Sequence, residues 1–334
     1  MTLSSPTSSA TNDSNTRKQL IYLVRHAEAT HNIREREAIQ AVIRQGIHEA
    51  CEHDKARRAV LQDASLLDAP LSPDGQCQVM RASCRLNQLD PIKYPPPKIV
   101  LVSPLRRVLM TATELFGNRS NGSFFQDSPR FVALEALREK RTGFAADERL
   151  PVDLLEKEFP HVDFSDLRPG NNNAIVVLKG EDNDKVRKRA TRFLDEYLPT
   201  VEEDSIAIVS HKAWLRELRK TLKDRLDEKQ LEVDFDVQQW HQTLFGNAEI
   251  RVADFRWTGQ KLRNIVSRSV ENALEGLVGG PILPIPLQDQ SKNEPREEEG
   301  FLEKRSHVTS KPGTDVSLGK QVGLLYKFIQ RSNC

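Results

Sequence analysis

Histidine and arginine side chains follow short apolar segments of this chain, and their types suit phosphoryl-transfer chemistry. Arg25 and His26 come directly after residues 20–24, and His211 comes shortly after residues 205–209. A neutral imidazole nitrogen can act as a nucleophile, while a guanidinium group presents donors that match phosphate oxygens. We therefore expect these side chains to bind and attack a phosphoryl group if the fold brings them into one pocket.

A third apolar segment, residues 99–102, is followed by two adjacent arginines. Ser103 is predicted to cap a helix that begins at Pro104, because proline suits the first helical position. Arg106 is then expected to face the pocket, and Arg107, its helical neighbour, to lie on the surface.

The three apolar segments predict the elements that would bring these side chains together. Runs of four or five Val, Ile and Leu-rich residues are too short for buried helices and are typical of buried strands. Side chains at the carboxyl ends of parallel strands project into the crevice where open α/β sheets bind ligands. If the three strands lie side by side, their ends surround a single anion.

Four ordered motifs resemble those of the histidine phosphatase superfamily, which has the phosphoglycerate mutase-like fold. They are the segments 23–32, 68–76, 137–143 and 209–216. The resemblance implies an α/β fold, a three-layer sandwich with a mostly parallel central sheet and a helical cap insert over the C-terminal strand ends. The long insert between Asn32 and Asp68, with the segments 147–149 and 159–165, is similar to the plant and fungal branch of broad-range phosphatases.

The resemblance also implies a role for each site residue. His26 would become phosphorylated, Glu139 would protonate the leaving group and later activate water, and His211 would assist catalysis. The residues expected to bind phosphate oxygens are Arg25, Asn32, Arg106 and His211. No cofactor and no metal ion is implied, because fixed cationic side chains neutralise the phosphoryl charge.

Several assignments near the site have alternatives. Glu135, one helical turn earlier, could replace Glu139 as the acid, although the spacing to Gly143 favours Glu139. Lys212 either adds a cation near the substrate or points away from it. His31 borders the pocket in sequence, and no role is assigned to it.

The overall composition excludes some classes of partner. Of the 334 residues, 49 are Lys or Arg and 48 are Asp or Glu, so the net charge of +1 provides no basic field for nucleic acid. No apolar run approaches the length of a membrane span. Four cysteines without a C-x-x-C pair indicate reduced thiols and a cytoplasmic protein. The composition predicts no particular oligomeric state.

The chain divides into three predicted parts. Residues 1–17, rich in Ser and Thr, are expected to form a disordered leader. Residues 18–265 are expected to form the phosphatase domain, with cap insertions at 33–67 and about 144–170. The polar tail, residues 266–334, is expected to be mostly disordered, and its end is apolar enough for a short terminal helix.

Together these features predict a metal-independent phosphomonoester hydrolase that acts on small phosphorylated metabolites through a phosphohistidine intermediate. Two alternatives stay open: a phosphoglycerate mutase, and a catalytically weak phosphate-binding or scaffold protein of the same fold. The insert gives no support for the water-excluding closure that a mutase needs. The complete set of histidines, arginines and a candidate acid weighs against a scaffold.

Overall fold

A computed structural model provides the structure of this chain and describes residues 16–117, 128–168, 180–225, 231–233, 244–259 and 261–268. All of these residues belong to one unit, Met1–Gly280. The predicted terminal helix and the tail beyond Arg268 lie outside the described residues, as does the leader up to residue 15.

Eight strands form one sheet. In chain order they are β1 (Thr16–Arg25), β2 (Ile99–Val102), β3 (Arg130–Ala133), β4 (Val162–Asp163), β5 (Ser205–Ser210), β6 (Leu231–Val233), β7 (Ile250–Thr258) and β8 (Lys261–Arg268). Their spatial order is β4-β3-β2-β5-β1-β7-β8-β6. The neighbouring pairs β1–β5, β5–β2, β2–β3 and β3–β4 are parallel. β7 pairs antiparallel with both β1 and β8. The prediction of a mostly parallel sheet is therefore confirmed.

Helices cover both faces of the sheet. The α-helices are α1 (Thr30–Arg44), α2 (Ala50–Gln62), α3 (Pro73–Asn87), α4 (Arg106–Phe116), α5 (Val152–Glu158), α6 (Asn183–Arg192) and α7 (Lys212–Arg225). Side chains alternate along β1, so Ile21 and Leu23 pack in a core with α6 and α7, while Tyr22 and Val24 pack in a second core with α3 and α4. This is the predicted three-layer sandwich.

The ends of two helices illustrate what local sequence can predict. Ser72 caps α3 as its residue type suggests, accepting a hydrogen bond from the Gly75 N–H at 2.9 Å, with Pro73 in the first turn. The prediction for α4 was wrong: the helix begins at Arg106 rather than Pro104, and Leu105 is its N-cap residue. The side chain of Asp68 accepts from the Arg106 N–H at 2.8 Å, a contact from a distant segment that supplies the cap.

The two predicted cap insertions have different structures. α1 and α2 pack against each other, and α2 contacts the short 3-10 helix Ala145–Asp147 near the strand ends. α1 begins at Thr30, before the predicted start of the insert. The second predicted insertion, about 144–170, belongs only partly to a cap. Within it, β4 pairs with β3 as an edge strand of the sheet, and Leu155 is buried in the core with α3 and α4.

The predicted domain limits also shift slightly. β1 begins at Thr16, so residues 16 and 17 belong to the sheet rather than to a leader, and β8 extends to Arg268. None of the helices within the described ranges combines the length and apolar character that a bilayer-crossing helix needs.

Candidate active site

The carboxyl ends of β1, β2 and β5 meet at one place, as their neighbouring positions in the sheet require. Arg25 pairs with Ser210 at the last register position, and the His26 N–H donates to the Ser210 carbonyl at 3.0 Å. The imidazole rings of His26 and His211 stand 5.0 Å apart between centroids, at an interplanar angle of 62°. Two histidines 185 positions apart in sequence therefore lie side by side at the strand ends.

His26 is held in a single tautomer. Its Nδ1 lies 2.6 Å from the carbonyl oxygen of Ala27, and because a carbonyl can only accept, Nδ1 carries the proton. Nε2 is consequently the unprotonated nitrogen of the neutral ring. Burial lowers the pKa of His26 well below its ordinary value, and the nearby cations Arg107 and Arg25 lower it further. The geometry keeps Nε2 available to attack phosphorus at neutral pH.

His211 is completely buried beside His26. Its Nε2 lies 2.8 Å from the hydroxyl of Ser103, the residue that follows β2. Burial and the cation Arg107 lower the pKa of His211 well below its ordinary value. Ser103 was expected to be a helix cap; the structure gives it a hydrogen bond to His211 instead.

The two adjacent arginines have the reverse of their predicted environments. Arg106, predicted to face the pocket, makes a surface ion pair with Glu158 through Nη2 at 2.9 Å. Arg107, predicted to be on the surface, is 1% exposed, and its Nη1 donates to the Ala146 carbonyl at 2.8 Å. Arg107 is the cation that most strongly lowers the pKa of both His26 and His211. The buried face of α4 explains the reversal: Arg107 lies one turn before the buried Thr111, whereas Arg106 lies one turn before the half-buried Met110.

Arg25 provides a second cation at the pocket. Its Nη1 donates to the Phe245 carbonyl at 2.8 Å, which anchors one end of the guanidinium. Burial lowers the pKa of Arg25, while the carboxylate of Glu139 raises it. Arg25 and Glu139 are therefore neighbours across the site.

The two candidate acids are clearly different in the structure. Glu135 is bonded to Arg149 at 2.6 Å and to Arg138 at 3.2 Å, so its carboxylate is occupied by two cations. Burial raises the pKa of Glu139, and the nearby carboxylate of Asp147 raises it further. A raised carboxyl pKa suits a general acid, because the group keeps its proton to a higher pH than an ordinary glutamate does. These environments favour Glu139.

A buried ion pair holds the segment that carries Glu139. Arg189, on α6, donates to the carbonyls of Ala136 and Arg138 at 2.8 Å each, and its Nη2 contacts Glu181 at 2.8 Å. Glu181 in turn accepts from the Arg141 N–H at 3.0 Å. Sequence reasoning missed this pair because no local pattern connects α6 to the segment.

Asp147 and Thr142 form a further polar group beside Arg107. Asp147 Oδ1 lies 3.6 Å from Arg107 Nη2, and its Oδ2 accepts from the Thr142 hydroxyl at 2.5 Å. Burial raises the pKa of Asp147, whereas Arg107 lowers it. Asp147 thus balances part of the Arg107 charge from the side of the 3-10 helix.

Asn32, expected to bind phosphate, is engaged at the start of α1. Its Oδ1 accepts from the Ala29 N–H at 3.0 Å, and its Nδ2 lies 3.0 Å from Nε2 of His31. Its role in binding phosphate stays a prediction. Lys212 is exposed at the first position of α7.

Together these groups can carry out nucleophilic substitution at phosphorus. His26 supplies an unprotonated nitrogen, Arg25 and Arg107 supply positive charge, and Glu139 supplies a carboxyl group with a raised pKa. Within the described ranges, no group of three or more His, Cys, Asp or Glu side chains is arranged to hold a metal ion.

Comparison with known proteins agrees with this geometry. The model of the histidine phosphatase superfamily (branch 1) matches residues 51–264, more than half of the chain. The chain belongs to the histidine phosphatase superfamily. The match begins after the segment that carries His26, so His26 is a candidate nucleophile on the basis of the structure and of its own motif.

Relatives of this histidine phosphatase occur among plant proteins. A phosphoglycerate mutase-like protein from Arabidopsis thaliana is 28% identical over 248 residues, which is 66% of this chain and 81% of that protein. Phosphoglycerate mutase-like protein 1 from the same plant is 27% identical, over 70% of this chain and 80% of its own length.

Solved structures also resemble the chain. A phosphoserine phosphatase from Entamoeba histolytica, in complex with phosphoserine, is 18% identical, with a TM-score of 0.38 over 74% of this chain and 96% of its own. A mycobacterial glucosyl-3-phosphoglycerate phosphatase is 19% identical, with a TM-score of 0.38 over 70% of this chain and 92% of its own.

Proposed function

We propose that this histidine phosphatase hydrolyses phosphomonoesters of small molecules through a phosphohistidine at His26, without a metal ion or cofactor. The observation that carries the proposal is the anchored imidazole of His26, which leaves Nε2 unprotonated and lies 5.0 Å from the His211 ring, with Arg107 nearby. A site built from cations and an unprotonated nitrogen matches a phosphoryl dianion in charge and reactivity.

The first step transfers the phosphoryl group to the protein. His26 Nε2 forms a bond to phosphorus as the bond from phosphorus to the ester oxygen breaks. The departing oxygen takes the proton of the Glu139 carboxyl group and leaves as an alcohol. Arg25 and Arg107 stabilise the charge on the non-bridging oxygens throughout.

The second step regenerates the protein. Glu139, now a carboxylate, accepts a proton from water as the water oxygen bonds to phosphorus. The bond between phosphorus and Nε2 breaks, inorganic phosphate is released, and His26 returns to its neutral form. The proton that Glu139 takes from water in this step replaces the proton that it gave to the alcohol.

The compartment follows from cysteine chemistry. Cys51, Cys77 and Cys84 are exposed and unpaired within the described residues. Free surface thiols are typical of a reducing compartment, which supports a cytoplasmic protein.

The decisive experiment looks for both the intermediate and the product. We expect the purified chain to release inorganic phosphate from p-nitrophenyl phosphate and 3-phosphoglycerate in the presence of EDTA, and to retain labelled phosphate after rapid acid-free denaturation. His26→Ala should abolish both signals. His48→Ala, which changes an exposed histidine of the cap, is the matched control and should retain both.

Two results would contradict the proposal. Conversion of 3-phosphoglycerate to another phosphoglycerate without release of phosphate would identify a mutase. No turnover and no phosphoenzyme across a broad panel of esters would identify a phosphate-binding protein without catalysis.

A further inference from the structure

His31 is a buried histidine that the mechanism above does not use. It lies in the first turn of α1, five positions after His26, and is 6% exposed. Its pKa falls to about 2, first because of burial and then because of the cations Arg107, Arg57 and Arg25. His31 is therefore uncharged at neutral pH.

The hydrogen bonds around His31 determine which of its nitrogens carries the proton. The Ala29 N–H can only donate, so the atom of Asn32 that it meets at 3.0 Å is the amide oxygen. The amide nitrogen of Asn32 then faces His31 Nε2 at 3.0 Å and must be the donor. Nε2 is the acceptor, and the proton of the neutral ring lies on Nδ1.

The Nδ1–H group of His31 is buried and has no acceptor among the described residues. An unpaired buried donor is costly, so a group such as this one requires an explanation, and a bound ligand that accepts its hydrogen bond is one. The other ring nitrogen faces Glu35 as well as Asn32: Glu35 Oε1 lies 3.8 Å from Nε2, and burial raises the pKa of that carboxyl group. The remaining charged groups near His31 are the cations that would attract an anion.

We propose that the Nδ1–H of His31 donates a hydrogen bond to a non-bridging oxygen of the bound phosphoryl group. The inference rests on the proposed function for the identity of the ligand. A neutral donor adds a hydrogen bond without adding a third positive charge beside the nucleophile. Asn32 then acts as a positioning residue, because its amide holds the His31 tautomer that exposes Nδ1–H to the ligand.

Three substitutions separate the donor from the bulk of the ring. Asn places an amide nitrogen near the position of Nδ1, Gln places one near Nε2, and Phe keeps the ring without a donor. We expect His31→Phe and His31→Gln to weaken binding of inorganic phosphate by roughly tenfold to a hundredfold, the effect of one lost hydrogen bond to a charged group. His31→Asn should remain within about threefold of the unaltered protein by the same relation.

Titration calorimetry with inorganic phosphate measures these affinities without turnover. Equal phosphate affinity for His31→Phe and the unaltered chain would overturn the inference, as would equal weakening in the Asn and Phe variants, which would indicate packing alone. If the Phe variant does not fold, the Asn and Gln variants decide, since equal affinities for these two also overturn it.

Failure of this inference is distinguishable from failure of the proposed function. The proposed function fails if no phosphohistidine forms, which is measured by labelling. The His31 inference fails on phosphate affinity, and an unaltered chain that does not bind inorganic phosphate also overturns it.

Discussion

Arg106 and Arg107 are neighbours in the chain, yet one lies on the surface and the other at the centre of the site. Successive helical side chains point in directions about 100° apart, so only one of the pair can face the pocket. Arg107 is the one that does so, because it lies on the buried face of α4 with Thr111, while Asp68 accepts from the Arg106 N–H at the start of the helix. A residue pattern alone cannot predict a contact between segments 38 positions apart.

Exchanging each arginine for glutamine tests this assignment. We expect Arg107→Gln to lower kcat/KM by about 100-fold to 1,000-fold, the usual effect of removing one charge-stabilising donor. The pKa of His26 should also rise, because Arg107 is the cation that lowers it most. The increase in kcat/KM on the acidic side of the pH profile should therefore shift to higher pH than in the unaltered protein. Steady-state kinetics with p-nitrophenyl phosphate across pH measures both effects.

Arg106→Gln is the matched control. It removes a surface ion pair with Glu158 and should change kcat/KM by no more than about threefold, since such pairs contribute little. A larger loss of activity in Arg106→Gln than in Arg107→Gln would show that the structure orients the two side chains incorrectly.

The raised pKa of Glu139 predicts how kcat/KM depends on pH. Its pKa is raised above the ordinary 4.5, so the protonated acid persists to higher pH and is lost as pH rises through the raised value. The pKa of His26 is lowered below 6.5, so the neutral nucleophile is lost only as pH falls through that lower value. For an alkyl phosphate, kcat/KM should therefore rise and then fall with increasing pH.

Glu139→Gln should abolish the decrease in kcat/KM at high pH, the falling limb of the pH profile. It should also lower kcat/KM for alkyl phosphates by about 100-fold to 10,000-fold. The loss should be much smaller for p-nitrophenyl phosphate, whose leaving group departs without a proton. Glu135→Gln is the control and should keep the falling limb, since Glu135 is paired with Arg149 and Arg138. A falling limb that disappears in Glu135→Gln instead would move the acid to that residue.

Part of the site could be predicted at this scale and part could not. His26 and His211 follow buried strands and Arg25 ends one; the apolar runs in the sequence predict these strands, and the structure brings the three residues together. His31 could have been noticed, because it stands beside Asn32 within the same motif. Its donor becomes apparent only from hydrogen bonds that no sequence shows.

Local signals were sufficient for the elements that carry strong patterns. Buried strands β1, β2 and β5 and the start of α3 all have short-range causes: apolar runs, a serine cap and a proline. β4 has only two residues and no periodicity, so its pairing with β3 follows from tertiary packing alone. The segment around it consequently resembled a cap insertion in sequence.

Gly75 on α3 lies against the backbone that leads away from the nucleophile. A Cβ atom at this position would stand 2.0 Å from the carbonyl oxygen of Glu28, two residues after His26. That oxygen already accepts from the Ser72 N–H at 2.9 Å. The close approach requires glycine, although alanine is normally the better helix former.

Gly75→Ala should therefore lower the free energy of unfolding by about 3 kcal/mol, the cost of overpacking a rigid contact. Activity should fall as well, because α3 or the segment after His26 must move. Urea denaturation followed by circular dichroism measures the stability change. Gln76→Ala, at the exposed neighbouring position, should stay within about 0.5 kcal/mol. Equal stability of the two variants would show that the contact is not tight.

At the scale of the whole molecule, the overall charge says little about the site. The net charge of the chain is +1, and ion pairs such as Arg130 with Glu203 balance the surface. The cations beside the two histidines are local: strand order places Arg25 there, and the buried face of α4 places Arg107 there. The fold class was predictable because three parallel strands with crossover helices define it, whereas the placement of β7, β8 and β6 beyond β1 was not.

The position of β1 has a consequence for how the protein fluctuates. β1 is hydrogen-bonded to β5 along residues 20–25 and to β7 along residues 16–24, and the His26 N–H continues the first ladder. A strand with both edges bonded cannot expose its amides without separating two partners, so hydrogen exchange there requires global unfolding. α2 is mostly exposed, with Leu61 as its one buried residue, and its amides should exchange through local opening. The backbone that positions His26 should therefore stay closed until the whole domain unfolds, even while α2 opens locally.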